Sequence, residues 1–317
     1  MTPRERIIAA LERRPIKGRV PTFELVFFLT MEKFGKVHPS HRSYHQWDQM
    51  SAREKKAHRE DIAGLYIATA EAYGHDAIFV HPNPGSHDEI IRLLQTIREM
   101  SGSKYFLMMH GDPTYAIPDG NHMLEFTYRL ADDPEGVKAE AQANVEGALR
   151  WAEELRGRGL LDGFALCSDY CFNVGPFLSP RQFSEFIAPY LAAVIKGYRE
   201  MGYYTIKHTD GNIMPILDQL VQANPHALHS IDPQAGVDLA EVKRLYGSRM
   251  CLIGNVNCGL LETGTDGQAI ESARYALMHG MPGYGYIFST SNCVYTGMPL
   301  ARYDLIMKVL NEEGVYR

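Results

Sequence analysis

A histidine and an aspartate two positions apart are the residues of this chain best suited to chemistry. His208 and Asp210 stand at the end of a short apolar run, and Cys293 follows a later one. Side chains two apart on a strand point to the same face, so His208 and Asp210 can converge on one point. Imidazole, carboxylate and thiolate are ligand types that zinc accepts. A neutral histidine with two anions balances Zn²⁺ and leaves a fourth position for substrate or water.

The same residues also allow interpretations without a metal. His208 and Asp210 could form a hydrogen-bonded pair or an acid–base couple, and Cys293 could be a buried thiol. The chain has five cysteines, an odd number, so we expect no disulfide framework. Cys167 and Cys171 show a spacing that some metal sites use, but without a second pair it favours buried thiols.

Almost all of the remaining short apolar runs in the sequence also end in a polar residue. Glu24 lies in the first run, and the later ends carry a further set: His81, His110, Asp169, Asp232, Asn255, Asn257 and Ser291. Taken singly, each could be a helix cap or a turn residue. Taken together, they predict a polar surface to which several strands contribute.

Eight short apolar runs could position these groups. They cover residues 22–27, 77–81, 105–110, 163–168, 204–208, 227–231, 251–255 and 286–289. Each is followed by a helical pattern, which predicts parallel pairing with both faces of the sheet covered. We therefore predict an α/β fold, a (β/α)₈ TIM barrel, whose reacting groups lie at the C-terminal ends of the strands.

The spacing of the runs predicts additions to this barrel. Residues 29–72 and 115–159 each exceed one helix, so we expect extra helices or a lid there. Thr2, Pro3 and Glu5 have the arrangement of a capping box and predict a helix at the start of the chain. No low-complexity linker divides the chain, so we predict one domain over residues 1–317.

Composition limits the partners. The 317 residues carry a net charge of −6, with lysines and arginines scattered, so we expect neither nucleic acid nor an anionic membrane as a partner. The first residues lack an apolar signal core, and no segment is apolar for about 18 residues, which predicts a cytoplasmic protein. The oligomeric state is not determined by the sequence, and a homodimer is compatible with it.

Three groups of motifs stand in order along the chain. They are Thr-Pro-Arg-Glu-Arg at 2–6 with Arg-Val-Pro at 19–21; Phe-Leu-Ser-Pro at 177–180 with Phe183, Glu185, Phe186, Pro189 and Tyr190; and Ile-Gly-Asn-Val-Asn at 253–257 with Leu260, Gly264 and Thr265. These motifs resemble the uroporphyrinogen decarboxylase superfamily, including its cobalamin-dependent methyltransferases. The decarboxylase itself has an arginine-rich motif after the first strand, whereas residues 20–41 contain no arginine. Decarboxylation of uroporphyrinogen is therefore disfavoured, because the substrate's carboxylates would lack partners.

The methyltransferase branch implies a zinc site. Its zinc is held by a His-x-Cys pair after the fifth strand and a cysteine after the eighth, and the matching positions are His208, Asp210 and Cys293. Asp210 departs from the pattern, since a hard oxygen replaces a soft sulfur and makes the metal a stronger Lewis acid. The resemblance also implies a corrinoid (cobalamin) cofactor carried by a separate partner protein.

We therefore expect methyl transfer between a small O-methyl substrate, such as an aryl methyl ether, and the cobalt of a corrinoid protein, which amounts to O-demethylation. Three alternatives stay open: a methylcobalamin:thiol methyltransferase, a metal-free decarboxylase using Asp169 and Tyr170, and a barrel that only binds a partner.

Further residues are assigned to the predicted site. The acid–base or supporting candidates are Glu24, His81, His110 and Asn257, and Glu24 could also be a fourth metal ligand. The residues expected to contact substrate are Phe23, Tyr115, Asp169, Tyr170 and Tyr295, with Phe27 and Phe172 as additional aromatic candidates. Aromatic residues near a barrel mouth also serve as packing, which is the alternative for this group.

Overall fold

The structure is a computed structural model and describes residues 1–316. In chain order the strands are β1 (Gly18–Arg19), β2 (Ala77–Val80), β3 (Phe106–His110), β4 (Gly163–Leu166), β5 (Cys171–Phe172), β6 (Gly175–Pro176), β7 (Tyr204–His208), β8 (Ala227–His229), β9 (Cys251–Ile253), β10 (Tyr286–Ile287) and β11 (Val315–Tyr316). Seven of them form a parallel sheet in the order β10-β9-β8-β7-β4-β3-β2. Each of these seven strands begins inside one of the eight predicted apolar runs.

The segment 22–27 lies between the two edges of this sheet. Thr22 forms a parallel bridge with Phe288, and Phe27 forms one with Val294. On the other side, the backbone N–H of Asp76 donates to the carbonyl of Thr22. The segment thus occupies the position of a first barrel strand, and the predicted TIM-barrel-like fold is confirmed.

The prediction of a regular strand over residues 22–27 is wrong, because only the two ends of the segment pair. The backbone N–H of Thr290 donates to the carboxylate of Glu24, at 3.1 Å from Oε2. In a regular ladder that N–H would donate to a backbone carbonyl. A side chain therefore replaces the backbone as the partner in the middle of the segment.

Helices surround the sheet. They are α1 (Pro3–Leu11), α2 (Thr30–Phe34), α3 (Ala52–Tyr73), α4 (His87–Ser101), α5 (Met123–Asp132), α6 (Pro134–Arg156), α7 (Pro180–Phe186), α8 (Ala188–Glu200), α9 (Leu217–Gln222), α10 (Leu239–Tyr246), α11 (Cys258–Thr263), α12 (Asp266–Gly280) and α13 (Leu300–Glu313). The extra helices predicted in the two long gaps are confirmed as α2 with α3, and α5 with α6. Among residues 1–316, no helix combines the length and apolar character that a bilayer crossing needs.

Helix α1 closes the N-terminal end of the barrel. The predicted capping box is present: the Thr2 hydroxyl accepts from the backbone of Glu5, and the Glu5 carboxylate accepts from the backbone of Thr2. Arg6 donates to Asp76 at 2.8 Å, just before β2. The buried face of α1 packs against apolar side chains of the barrel interior. The polar residues that follow the strands lie at the opposite, C-terminal end of the barrel.

A hairpin of β5 and β6 follows β4 at that C-terminal end. The backbone N–H of Asn212 donates to the carbonyl of Phe172, so the hairpin contacts the turn after β7. Gly211 in this turn has φ +80°, and a Cβ there would collide with the carbonyl oxygen of Cys171. Only glycine fits both the backbone conformation and the close approach.

Candidate metal centre

Three side chains with metal-binding atoms converge at the C-terminal end of the sheet. Asp169 follows β4, His208 ends the neighbouring strand β7, and Asp210 lies two residues beyond. One ligand atom from each lies within 4.8 Å of the others, and residues 1–316 contain no other such group of histidine, cysteine or acidic residues. Nε2 of His208 is 3.7 Å from Oδ1 of Asp169 and 3.7 Å from Oδ1 of Asp210. These separations are too long for hydrogen bonds.

The cluster has an excess of negative charge. Burial lowers the pKa of His208 to about 4, although the Asp169 carboxylate opposes this shift, so the imidazole is neutral at pH 7. Within residues 1–316, the ion pairs of Asp169 and Asp210 involve no lysine or arginine. One neutral nitrogen and two carboxylates form a ligand set whose charge a divalent cation would balance. The donor set therefore fits a metal ion.

Hydrogen bonds hold both carboxylates in place. The Ser230 hydroxyl donates to Oδ1 of Asp210 at 2.7 Å, and the Asn292 amide donates to Oδ2. The backbone N–H of Asp210 in turn donates to Oδ1 of Asp169 at 3.1 Å. Burial raises the pKa of Asp210 to about 7, and the Asp169 carboxylate shifts it in the same direction. A proton on Asp210 is thus in competition with any cation that binds there.

A buried ion pair supports the loops that carry the cluster. Lys207 and Asp112 have no exposed side-chain surface, and Nζ lies 2.7 Å from Oδ2. Lys207 also donates to the carbonyls of Leu166 and Ser168 at the end of β4. Burial alone would raise the pKa of Asp112, but the Lys207 ammonium and the hydrogen bonds from Thr114 together lower the pKa. Hydrophobic periodicity does not reveal this pair, although a lysine inside an apolar strand is a visible signal of it.

The three predicted metal ligands are only partly brought together. His208 and Asp210 converge as expected, but the third member of the group is Asp169, which the sequence predicts as a substrate-binding residue. Cys293 lies outside the group, half-buried, in the loop whose Asn292 contacts Asp210. Burial raises the pKa of its thiol. A ligand role for Cys293 stays a prediction.

The four acid–base or supporting candidates lie in different parts of the barrel. Glu24 is buried in the barrel wall, where burial raises its pKa to about 7, and it is not in the metal-binding group. His81 contacts the carbonyl of Leu25 through Nε2 at 3.0 Å. His110 ends β3, and burial lowers the pKa of both histidines. Asn257 caps α11 by accepting from the backbone of Leu260. Catalytic roles for these four residues stay predictions.

The aromatic candidates are mostly packed into the protein. Phe23 is fully buried, with its ring centroid 6.4 Å from that of His229. Tyr115 and Tyr170 line a small apolar pocket together with Phe126 and Phe177, and His208 and Asp210 are not among the residues of this pocket. Tyr295 is about one-third exposed, at 36%. Substrate contacts by these residues stay predictions.

Two further aromatic candidates differ in exposure. Phe27 is buried against Tyr73 and Tyr303, whereas Phe172 is 41% exposed on the hairpin of β5 and β6. Packing accounts for Phe27, and Phe172 keeps a free face near the polar strand ends.

The fold and the site define a TIM-barrel-like protein with a cluster of side chains at the C-terminal end of its strands that could hold a metal ion. Residues 167–313 match the family model described as Uroporphyrinogen decarboxylase (URO-D). This region contains Asp169, His208, Asp210 and Cys293. The resemblance predicted from the motifs is confirmed over this part of the chain.

Two solved structures are similar to this chain to different degrees. A methyltransferase from Methanosarcina mazei has a TM-score of 0.74 and 18% identity, over 98% of this chain and 99% of that one. A GH5_18 from Bifidobacterium longum subsp. infantis has a TM-score of 0.49 and 14% identity, over 93% of this chain and 78% of that one. At 18% identity, the likeness to the methyltransferase shows the fold alone. No curated protein sequence gives a significant match.

Proposed function

We propose that this protein is a zinc-dependent methyltransferase that moves a methyl group between an O-methyl substrate and the cobalt of a corrinoid protein. The observation that carries the proposal is the convergence of Asp169, His208 and Asp210 at the end of a barrel where active sites of this fold lie. The URO-D match and the likeness in fold to the Methanosarcina mazei methyltransferase support it.

The ligand set favours an oxygen substrate. Asp169 and Asp210 supply carboxylate oxygens and His208 supplies a nitrogen, so the set is harder than one containing Cys293. Three protein ligands leave a position for substrate, as in catalytic zinc sites. Zinc bound there would act as a Lewis acid on an ether oxygen and so favour cleavage of the methyl–oxygen bond. We infer that an aryl methyl ether is the substrate class and that the reaction is O-demethylation.

The residues of the chain position this site rather than supply its Lewis acidity. Ser230 and Asn292 hold the Asp210 carboxylate, and the Lys207–Asp112 pair holds the loop that leads to Asp169. Burial keeps His110 neutral at pH 7, which suits it to accept rather than donate a proton. The corrinoid cofactor belongs to the proposed partner protein.

Elemental analysis of purified protein tests the metal. We expect about one zinc per chain, and its loss in His208→Ala and Asp169→Asn. Asp232→Asn is the matched control, because Asp232 also follows a barrel strand but lies outside the group. Cys293→Ala tests the ligand predicted from sequence. Undiminished zinc in both the His208 and the Asp169 variants would refute the proposed centre.

Incubation with O-methylated phenols and a corrinoid protein in the Co(I) state tests the substrate class. We expect methylation of cobalt, followed by its absorption spectrum, and release of the free phenol. Methylation of cobalt from a thioether alone would instead support the thiol methyltransferase. Turnover of a carboxylated substrate in the presence of a chelator would support the metal-free decarboxylase.

A further inference from the structure

A buried chain of hydrogen-bonding groups runs from the metal centre into the barrel. Nδ1 of His208 lies 2.7 Å from Nδ1 of His229, and Nε2 of His229 lies 3.4 Å from Oγ of Ser289. The Ser289 hydroxyl donates to Oε2 of Glu24 at 3.0 Å. His229 and Ser289 have no exposed surface. Neither residue has a role in the function proposed above.

Glu24 determines the direction in which hydrogen bonds are donated along this series of side chains. Its Oε2 accepts from the hydroxyls of Ser289 and Thr290 and from the backbone N–H of Thr290. The Tyr303 hydroxyl donates to the other oxygen, Oε1. Because Oε2 is surrounded by donors, it accepts whether or not the carboxyl carries a proton on Oε1. Ser289 therefore uses its only hydrogen on Glu24.

The proton positions on both histidines follow from this direction. The oxygen of Ser289 has only lone pairs left for His229, so Nε2 of His229 carries the hydrogen. His229 has no exposed surface, and no carboxylate forms an ion pair with it among residues 1–316, so a cationic ring would be a buried, unpaired charge and the neutral ring is favoured. Nδ1 of His229 is then an acceptor, and Nδ1 of His208 is the donor. Nε2 of His208 is left with a lone pair.

The immediate surroundings of His208 disfavour this tautomer, in which Nδ1 carries the hydrogen and Nε2 has the lone pair. Its Nε2 faces the carboxylates of Asp169 and Asp210, each at 3.7 Å, and two anions favour an N–H at that position. The tautomer that a metal requires is the opposite one, because a metal binds the unprotonated nitrogen. An influence outside the cluster must therefore select it.

We propose that Glu24, Ser289 and His229 are positioning residues that hold His208 in the tautomer whose Nε2 lone pair points to the metal position. This inference rests on the proposed metal centre and assigns a role to residues that touch neither metal nor substrate. Histidine ligands of metals are commonly oriented by such a bond from the other ring nitrogen.

Two substitutions of His229 separate positioning from packing. His229→Asn keeps an acceptor oxygen near the place of Nδ1, whereas His229→Leu keeps bulk and removes the acceptor. In ¹⁵N-histidine spectra of the metal-free protein, with His208 assigned from the His208→Ala variant, we expect an unprotonated Nε2 in the wild type and in the Asn variant. We expect a protonated Nε2 in the Leu variant. The zinc Kd, measured against a chelating dye, should rise about tenfold or more in the Leu variant and change by less than about threefold in the Asn variant.

A milder substitution covers the case in which His229→Leu does not fold. Ser289→Ala removes the hydroxyl acceptor for Nε2 of His229 but not the backbone partner Thr290, so it should give mixed His208 tautomers and weaken zinc binding by less than His229→Leu does. Ser291→Ala is its control, because Ser291 is a buried serine two residues further on whose hydroxyl oxygen accepts from the backbone N–H of Cys258. An unchanged His208 tautomer and an unchanged zinc Kd in the folded Leu or Ser289→Ala variant would overturn the proposal. Failure of the wild type to bind zinc would instead refute the metal centre. The tautomer measurement would still test whether Glu24, Ser289 and His229 position His208.

Discussion

At the scale of single residues, the site depends on buried polar groups whose partners lie far away in sequence. His208 and Asp210 could be predicted because strand periodicity alone places them on one face. Asp169 was identified as a polar strand end, but its place in the metal-binding group depends on the path of the loop after β4, which periodicity does not describe. His229 and Ser289 gave no sequence signal that distinguished them from other polar residues in apolar runs.

Glu24 makes a stability contribution that depends on pH. Burial raises its pKa to about 7 in the folded protein, whereas the unfolded chain ionises near the ordinary value. A raised pKa gives stability that is complete below the unfolded pKa and is lost as the pH rises through the folded pKa. For Glu24→Gln, which cannot ionise, the free energy of unfolding should increase relative to wild type by about 2 kcal/mol between pH 5 and pH 8.

Urea unfolding of both metal-free proteins at several pH values measures this difference. Glu54→Gln is a suitable control, because Glu54 is exposed and its pKa is lowered rather than raised, mainly by hydrogen bonds from Ser51. A Glu24→Gln difference that stays constant from pH 5 to pH 8 would show that Glu24 is not held protonated by burial.

At the scale of elements, the buried Lys207–Asp112 pair joins β7 to the loops after β3 and β4. Removing one partner of a buried pair leaves an uncompensated charge, which costs about 3–5 kcal/mol. We expect Lys207→Met to lower the free energy of unfolding by that amount. The double variant Lys207→Met/Asp112→Asn should recover part of the loss, because no lone charge stays buried. A Lys207→Met variant as stable as wild type would contradict this account.

The turn after β7 provides a second test at this scale. Gly211 and Gly202 both have positive φ, at +80° and +89°, but only Gly211 has a close neighbour, the Cys171 carbonyl. Gly202→Ala should therefore show the backbone strain alone, on the order of 1 kcal/mol. Gly211→Ala should cost more in unfolding free energy and also weaken zinc binding, since the turn carries Asp210. Equal effects of the two substitutions would mean that the hairpin yields without disturbing the site.

The elements themselves were largely predictable from the apolar runs. The run 204–208 coincides with β7, because both faces of that strand are buried and its ends are polar. The run 22–27 is not a regular strand, because the Glu24 carboxylate accepts the hydrogen bond from the backbone N–H of Thr290 that a backbone carbonyl would otherwise accept. The run 286–289 is regular over Tyr286–Ile287 alone. Substitution of a ladder bond by a side chain leaves no trace in hydrophobic periodicity.

At the scale of the whole molecule, the barrel brings the site together. Strands β4 and β7 are neighbours in the sheet although about 40 residues separate them, and this pairing places Asp169 beside His208. The fold likeness to the Methanosarcina mazei methyltransferase extends over 98% of this chain. The predicted architecture therefore places the candidate ligands at one end of the barrel, and the loops determine which of them converge.

X-ray absorption at the zinc edge of the zinc-loaded protein tests the central claim most directly. Ligation by Asp169, His208 and Asp210 predicts only nitrogen and oxygen neighbours, at about 2.0–2.2 Å. Loss of that signal in His208→Ala would confirm the location. A sulfur shell at about 2.3 Å would instead identify Cys293 as a ligand and favour a thiol substrate, and a protein that takes up no zinc would contradict the metal centre itself.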